Sequence, residues 1–199
     1  MEIIDKKRYI ESVAFKLFLN VGYDATSIRM ICKESEIEPP TLYKYFGSKK
    51  GLFFSIAQEL IVQFFEQSKI YNALVRSLPL EIQLYSIYSA SITYTVEHID
   101  ETKFFFRYSH FCPLELQVDV HKYLADLQEA KKQVVSEILL EYEQKKLIGI
   151  DSNRAFSCFQ EFLDNSSFNV VFKNWHPLKE EMLELWEAFL KYRLKGLIK

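Results

Sequence analysis

The run Pro39-Pro40-Thr41-Leu42-Tyr43-Lys44-Tyr45-Phe46, followed by Gly47-Ser48-Lys49, carries the residue types needed to hold a polyanion. Proline at a helix start removes an N–H group that would lack an intrahelical partner anyway. The free N–H groups behind it, and the helix dipole, favour phosphate. Thr41 can donate to a phosphate or touch a thymine methyl, and Tyr43 can reach a phosphate with its hydroxyl. Tyr45 can either pack or touch phosphate. Lys44 projects outward toward a base edge or the backbone, and Lys49 stands where the next helix begins, as a backbone clamp. Leu42 and Phe46, four residues apart, share the inward face and anchor the helix. Upstream, Ser27 and Arg29 point away from the apolar face of Ile28, Ile31 and Cys32. Arg29 is the best-placed group for bidentate contact with a guanine.

Charge is distributed in keeping with this. The whole chain carries only −2, so it lacks the overall basic character of many nucleic-acid binders. Residues 1–55 hold nine basic and seven acidic side chains, a balance of +2 that leaves −4 for the remainder. Pro39 to Phe53 contains Lys44, Lys49 and Lys50 and no acid.

These residues need short helices to present them. The five glycines and five prolines fall almost entirely where helices should start or stop, and apolar residues between them follow a 3.6-residue period. The chain therefore reads as all-α, with about nine helices. The first spans about 6–20 and is stopped by Gly22. A short second helix is capped by Thr26 or Ser27. The third opens at Pro39 and ends near Phe46 with Gly47 as its stop, and Ser48 can cap the fourth. Longer helices follow near 49–75, 79–98, 101–110, 114–147, 152–174 and 178–197. Two short helices joined by a tight turn have the size and order of a helix-turn-helix.

At this point the residues match a known pattern. From Ile10 to Phe53 the chain resembles the DNA-binding domain of the tetracycline-repressor (TetR) family. The matching features are Ala14…Leu17-Phe18, Gly22-Tyr23, Thr26-Ser27-Ile28, Ile31, Ile37, Thr41-Leu42-Tyr43-Lys44-Tyr45-Phe46, and Ser48-Lys49…Leu52-Phe53. Four positions depart from the pattern. Glu36 stands where the family usually has glycine, which implies a left-handed residue at a cost of about 1 kcal/mol. Cys32 and Ser35 each replace a common alanine. Gly51 occupies the place of an acid that would complete a capping box with Ser48. The resemblance implies a helix-turn-helix DNA-binding domain at 1–47 and a helical effector-binding and dimerisation domain at 48–199. It further implies a homodimeric repressor, released from a near-palindromic double-stranded DNA operator by a small-molecule effector. Ser27, Arg29, Pro39, Pro40, Thr41, Tyr43, Lys44, Tyr45 and Lys49 are the expected DNA-binding residues.

One helix-turn-helix presents little surface, and such modules typically pair across half-sites about 34–36 Å apart. Apolar stripes on the last two helices could serve as that interface or as core. Phe156, Phe159, Leu163, Ser166, Val170 and Val171 mark one stripe, and Met182, Leu185, Trp186, Phe189, Leu190 and Leu197 the other. The middle of the chain is rich in aromatic residues with interleaved polar groups, the usual lining of a small-molecule pocket. Tyr85, Tyr88, Tyr94, His98, Phe105, Tyr108, His110, Phe162, Asn165 and Asn169 are the expected lining, suited to an apolar or aromatic effector. The same aromatics could instead pack on one another.

Other chemistries find little support. His110 and Cys112 form one close pair without a second, where a metal site needs three or four converging ligands. No glycine-rich phosphate loop and no nucleophile–base motif is present. The chain is thus expected not to be an enzyme and to use neither metal nor cofactor. Cys32, Cys112 and Cys158 are far apart and set among apolar residues, which fits reduced thiols in the cytoplasm. No signal peptide or membrane span is expected. The competing reading is a helical carrier for lipophilic molecules with no DNA role.

Overall fold

The computed structural model describes the backbone of residues 3–195, with the side chains there apart from those of 3–5, 64–72, 126–128 and 130–131. Among the described residues every regular element is helical. They are α1 (Ile3–Asn20), α2 (Ile28–Glu34), α3 (Pro39–Phe46), α4 (Lys49–Arg76), α5 (Leu80–Glu97), α6 (Ile99–His110), α7 (Gln117–Gln144), α8 (Ser152–Lys173) and α9 (Lys179–Phe189). A π-helical turn, Leu190–Leu194, continues α9. The count thus exceeds the expected nine by this one element, because the last helix changes its hydrogen bonding. Its expected end at residue 197 lies outside the described residues. No described helix is long and apolar enough to cross a membrane.

Local chemistry explains most boundaries. Gly22 ends α1 at φ 97° and Gly47 ends α3 at φ 71°, conformations that cost a side-chain-bearing residue energy. The Asp151 carboxylate accepts from the Arg154 N–H at 3.0 Å and caps α8. Asn174 closes the same helix in a left-handed conformation.

The chain forms two compact units. The first comprises Met1–Ser68 and Lys103–His121, so α1–α3 share it with most of α6. Its core is a set of aromatic rings around Phe53, whose centroid lies 5.8 Å from Phe18, 5.6 Å from Tyr23, 5.3 Å from Phe104 and 4.8 Å from Tyr108. Ring contacts at these separations contribute beyond the area they bury. The second comprises Lys69–Thr102 and Lys122–Lys199. Its core joins α5, α7, α8 and α9 around Tyr88, Phe159, Trp186 and Phe189. Tyr142 on α7 donates to the Leu80 carbonyl at 2.6 Å and ties α7 to the start of α5.

Candidate nucleic-acid interface

The second helix begins at Ser27, whose hydroxyl accepts from the Met30 N–H at 3.2 Å. Ser27 rather than Thr26 is therefore the cap. Thr26 is buried and donates from Oγ1 to the Gly22 carbonyl at 2.7 Å. The following turn places Glu36 at φ 52°, the left-handed conformation expected from its position. It is closed by Ser35 N–H to Ile31 O at 2.9 Å and Ile37 N–H to Cys32 O at 3.0 Å.

Pro39 and Pro40 open α3, and no side chain caps it. The two prolines carry no N–H, and the Thr41 N–H already donates to the Glu38 carbonyl at 2.9 Å, so what the helix start offers an outside anion is mainly its dipole. Leu42 is fully buried and fastens the helix to the unit, with Phe46 half-buried one turn later. Pro40, Tyr43 and Lys44 are exposed, and Pro39, Thr41 and Tyr45 are half-buried beside them. Arg29 is exposed at the start of α2. Neither Arg29 nor Lys44 makes an ion pair among the described residues. Both keep all their donors available.

Lys49 does not. Its ammonium donates to the Tyr23 carbonyl at 3.0 Å and the Thr26 carbonyl at 3.1 Å, and lies 4.1 Å from the centre of the Tyr23 ring. Where the spacing suggested an outward clamp, the structure turns the group inward onto the turn between α1 and α2. The physical reason is that both carbonyls lie beyond the end of α1, outside its hydrogen-bond ladder, and only that of Tyr23 has a backbone donor, the Thr26 N–H at 3.2 Å. Lys50 instead pairs with Asp119 at 2.7 Å. Gly51 also has a structural reason. Ser48 still caps α4 through the Gly51 N–H at 2.9 Å, but a Cβ at residue 51 would collide with the Phe46 carbonyl oxygen.

Arg107, unassigned from the sequence, and Tyr108, expected in a ligand pocket, complete this unit instead. Arg107 donates to the Leu19 carbonyl at 2.8 Å, and the Tyr108 hydroxyl donates to the Phe18 carbonyl at 2.9 Å. Together they satisfy two carbonyls in the last turn of α1. A Cβ on Gly22 would sit 2.6 Å from Arg107 Nη2 and would displace that guanidinium, while the φ of 97° is what requires glycine.

Residues 10–56 match the family model described as bacterial regulatory proteins, tetR family. That match covers about a quarter of the chain, its helix-turn-helix region. The chain is 40% identical over 52 residues to the HTH-type transcriptional regulator YuxN of Bacillus subtilis (strain 168), covering 26% of this chain and 18% of that protein. The chain spans less than half the length of the curated relatives it matches. Solved structures extend the likeness to the whole fold. A TetR-like transcriptional regulator from Rhodococcus sp. RHA1 superposes with a TM-score of 0.73 at 17% identity, over 96% of both chains. FadR from Bacillus subtilis, in complex with stearoyl-CoA, gives 0.67 at 18% identity, over 96% of this chain and 98% of that one.

The other expected sites are rearranged. Phe105, Tyr108 and His110 lie in the first unit, apart from the remaining expected pocket residues, which belong to the second. Tyr108 has its hydroxyl engaged on α1, and His110 is exposed with Nδ1 3.0 Å from the Phe106 carbonyl. In the second unit Tyr85, Tyr88 and Phe162 pack around Trp186, with centroids 6.0, 6.2 and 6.4 Å from it. Tyr94 stacks on His98 at 4.3 Å, His98 lies 3.7 Å from Glu101, and burial raises the Tyr94 phenol above its ordinary range. Asn165 is exposed on α8 and Asn169 half-buried. The Tyr88 hydroxyl is buried beside Ser166 without reaching hydrogen-bond geometry, and burial raises its phenol in turn.

The expected interface residues turn inward. Phe159, Val170, Met182, Trp186 and Phe189 are buried in the second unit's own core, and Phe156, Leu163 and Leu190 pack against it. The two apolar stripes are consumed within one chain because α8 and α9 face a common core. Leu185 of the expected stripe stays exposed, and beside it those helices expose Phe168, Phe172 and Leu183. Leu197 lies outside the described residues.

Proposed function

We propose that this chain is a DNA-binding transcriptional regulator acting as a homodimeric repressor in the cytoplasm. It would leave a near-palindromic operator when a small apolar or aromatic effector binds the second unit. The observation that carries this reading is the outward face of α3: Tyr43 and Lys44 exposed, with Leu42 anchored beneath. In this reading α3 enters the major groove by its N-terminal end, with Thr41 and Tyr43 on phosphates and Lys44 and Arg29 at base edges. Ser27, Pro39, Pro40 and Tyr45 frame the contact. Lys49 acts through the turn it holds. The neighbouring FadR structure, with its stearoyl-CoA, supports a lipophilic effector class. The exposed apolar side chains Phe168, Phe172, Leu183 and Leu185 support pairing through the outer faces of α8 and α9.

Selection of genomic fragments on the purified chain, followed by salt titration of binding, tests this directly. Lys44→Ala should weaken binding and reduce the slope of log affinity against log salt by about 1. Absence of measurable DNA affinity at low salt would sink the proposal and leave the carrier reading.

A further inference from the structure

We propose that two copies of this chain pair α9, with its π-helical continuation, in antiparallel register about a two-fold axis crossing each helix between Glu187 and Ala188. This register rests on the homodimer reading and makes charge order along the helix the feature that selects the partner. The charges are segregated. Glu180, Glu184 and Glu187 precede Ala188, whereas Lys191 and Lys195 follow it, and all five charged side chains are exposed. None of them makes an ion pair among the described residues.

Forces within the helix account for only part of this order. A helix dipole favours acids in the first turn and bases in the last. That covers Glu180 and Lys191 but leaves Glu184 and Glu187, which lie further in. Glu187 and Lys191 have the spacing of an intrahelical ion pair. Lys191 instead lies 5.1 Å from the centre of the Tyr192 ring. Helical spacing sets Glu180, Glu184, Ala188 and Lys191 in one outward row, opposite the buried Met182, Trp186 and Phe189.

Two such rows have one favourable mutual arrangement. Side by side in parallel, acid would face acid and base would face base. In antiparallel register about this axis, Glu184 stands opposite Lys191 of the partner subunit, and Glu180 opposite Lys195 of the partner subunit. The axis repeats each pair, as a self-complementary contact requires. Ala188, beside the axis, is small enough for the helices to approach closely, and Glu187 stands opposite Ala188 of the partner subunit rather than its own copy. The exposed Leu185 and Tyr192 border the row, so the charges form the margin of the apolar surface on the outer faces of α8 and α9. Exposed ion pairs add little affinity, but like charges in the same places repel, so the row favours a second copy of this chain over a chain with another charge order.

Charge reversal on the full chain tests the register, with sedimentation velocity over a dilution series as the readout. Glu184→Lys and Lys191→Glu should each raise the dimer dissociation constant about tenfold, because each sets like charges opposite one another twice per dimer. The double variant should return to within about twofold of the wild type, and an equimolar mixture of the two single variants should form mixed dimers. Ala188→Cys should form a disulfide-linked dimer on mild oxidation, well above the level the wild type reaches through its own cysteines, since the bond needs Cα atoms within about 7 Å. A double variant that dimerises no better than the single ones would overturn the proposal. So would a dimeric Ala188→Cys chain that does not cross-link. Both results leave the homodimer reading standing. A wild type that stays monomeric throughout would overturn the two together, and no arm depends on DNA binding.

Discussion

Each unit is built around aromatic rings, but the two clusters treat their polar atoms differently. In the first, Tyr108 uses its hydroxyl on the Phe18 carbonyl, and Arg107 and Lys49 each serve backbone carbonyls at the edge of the cluster. Nearly every polar group near α1 is engaged on backbone, with the buried Tyr23 hydroxyl left over. In the second, the rings of Tyr85, Tyr88, Phe162 and Trp186 pack mainly on one another, and the Tyr88 hydroxyl stays buried without a partner. A buried polar atom without a hydrogen bond costs stability. Each cluster leaves one tyrosine hydroxyl buried without a partner, so the difference lies in the first, where Tyr108, Arg107 and Lys49 brace carbonyls of α1 and of the turn behind it. In the second, Tyr142 alone of the named side chains braces a backbone carbonyl.

Removing the centre of each cluster is the strongest way to test that contrast. Phe53→Ala should lower stability by about 3–5 kcal/mol in a urea titration and remove DNA binding with it. Trp186→Ala should destabilise by a similar amount while the molecules still folded keep their operator affinity. Equal loss of affinity per folded molecule in both variants would erase the functional distinction.

Lys49 comes next. Two charge-assisted hydrogen bonds are lost in Lys49→Ala, each worth about 1.5–3 kcal/mol where well shielded and less at this half-buried site. The variant should unfold earlier in urea yet retain the wild-type salt slope. A slope reduced by about 1 with unchanged stability would restore it as a phosphate clamp.

The tyrosines give a finer comparison. Tyr108→Phe should cost about 0.5–1.5 kcal/mol, whereas Tyr88→Phe should be neutral or slightly stabilising. Matching losses at both positions would contradict the contrast.

The smallest effect is one of pH. Burial, above all, pushes the Tyr108 phenol up from 10.0 to about 12. A group whose folded pKa is raised contributes stability that is present below its unfolded pKa and lost as pH rises. Its contribution should therefore be complete below pH 10 and disappear as pH approaches about 12. Denaturant midpoints across that window should fall less steeply in Tyr108→Phe than in the wild type.

Much of this was legible in the residues. Gly22, Gly47, Pro39 and Asp151 mark helix ends because caps and stops act within four residues of the chain. The inward role of Leu42 and the outward placing of Tyr43 and Lys44 follow from helical spacing. The positive φ of Glu36 could be read from its place in the turn. Gly51 could not, since the obstacle is the Phe46 carbonyl as the structure places it. The stripes on α8 and α9 were ambiguous in principle, because an apolar face has the same spacing whether it meets its own core or a partner.

The sequence by itself determined an all-helical chain, the position of its helix-turn-helix and the outward face of α3, because periodicity and capping are local. Only the tertiary structure decided where the shared groups went. Tyr108 reaches a carbonyl 90 residues away, Lys49 turns onto carbonyls 26 and 23 residues back, and Trp186 takes up Tyr85 and Tyr88 about a hundred positions earlier. Pairings at such separations depend on which helix faces pack together, and the spacing within any one helix does not encode that choice.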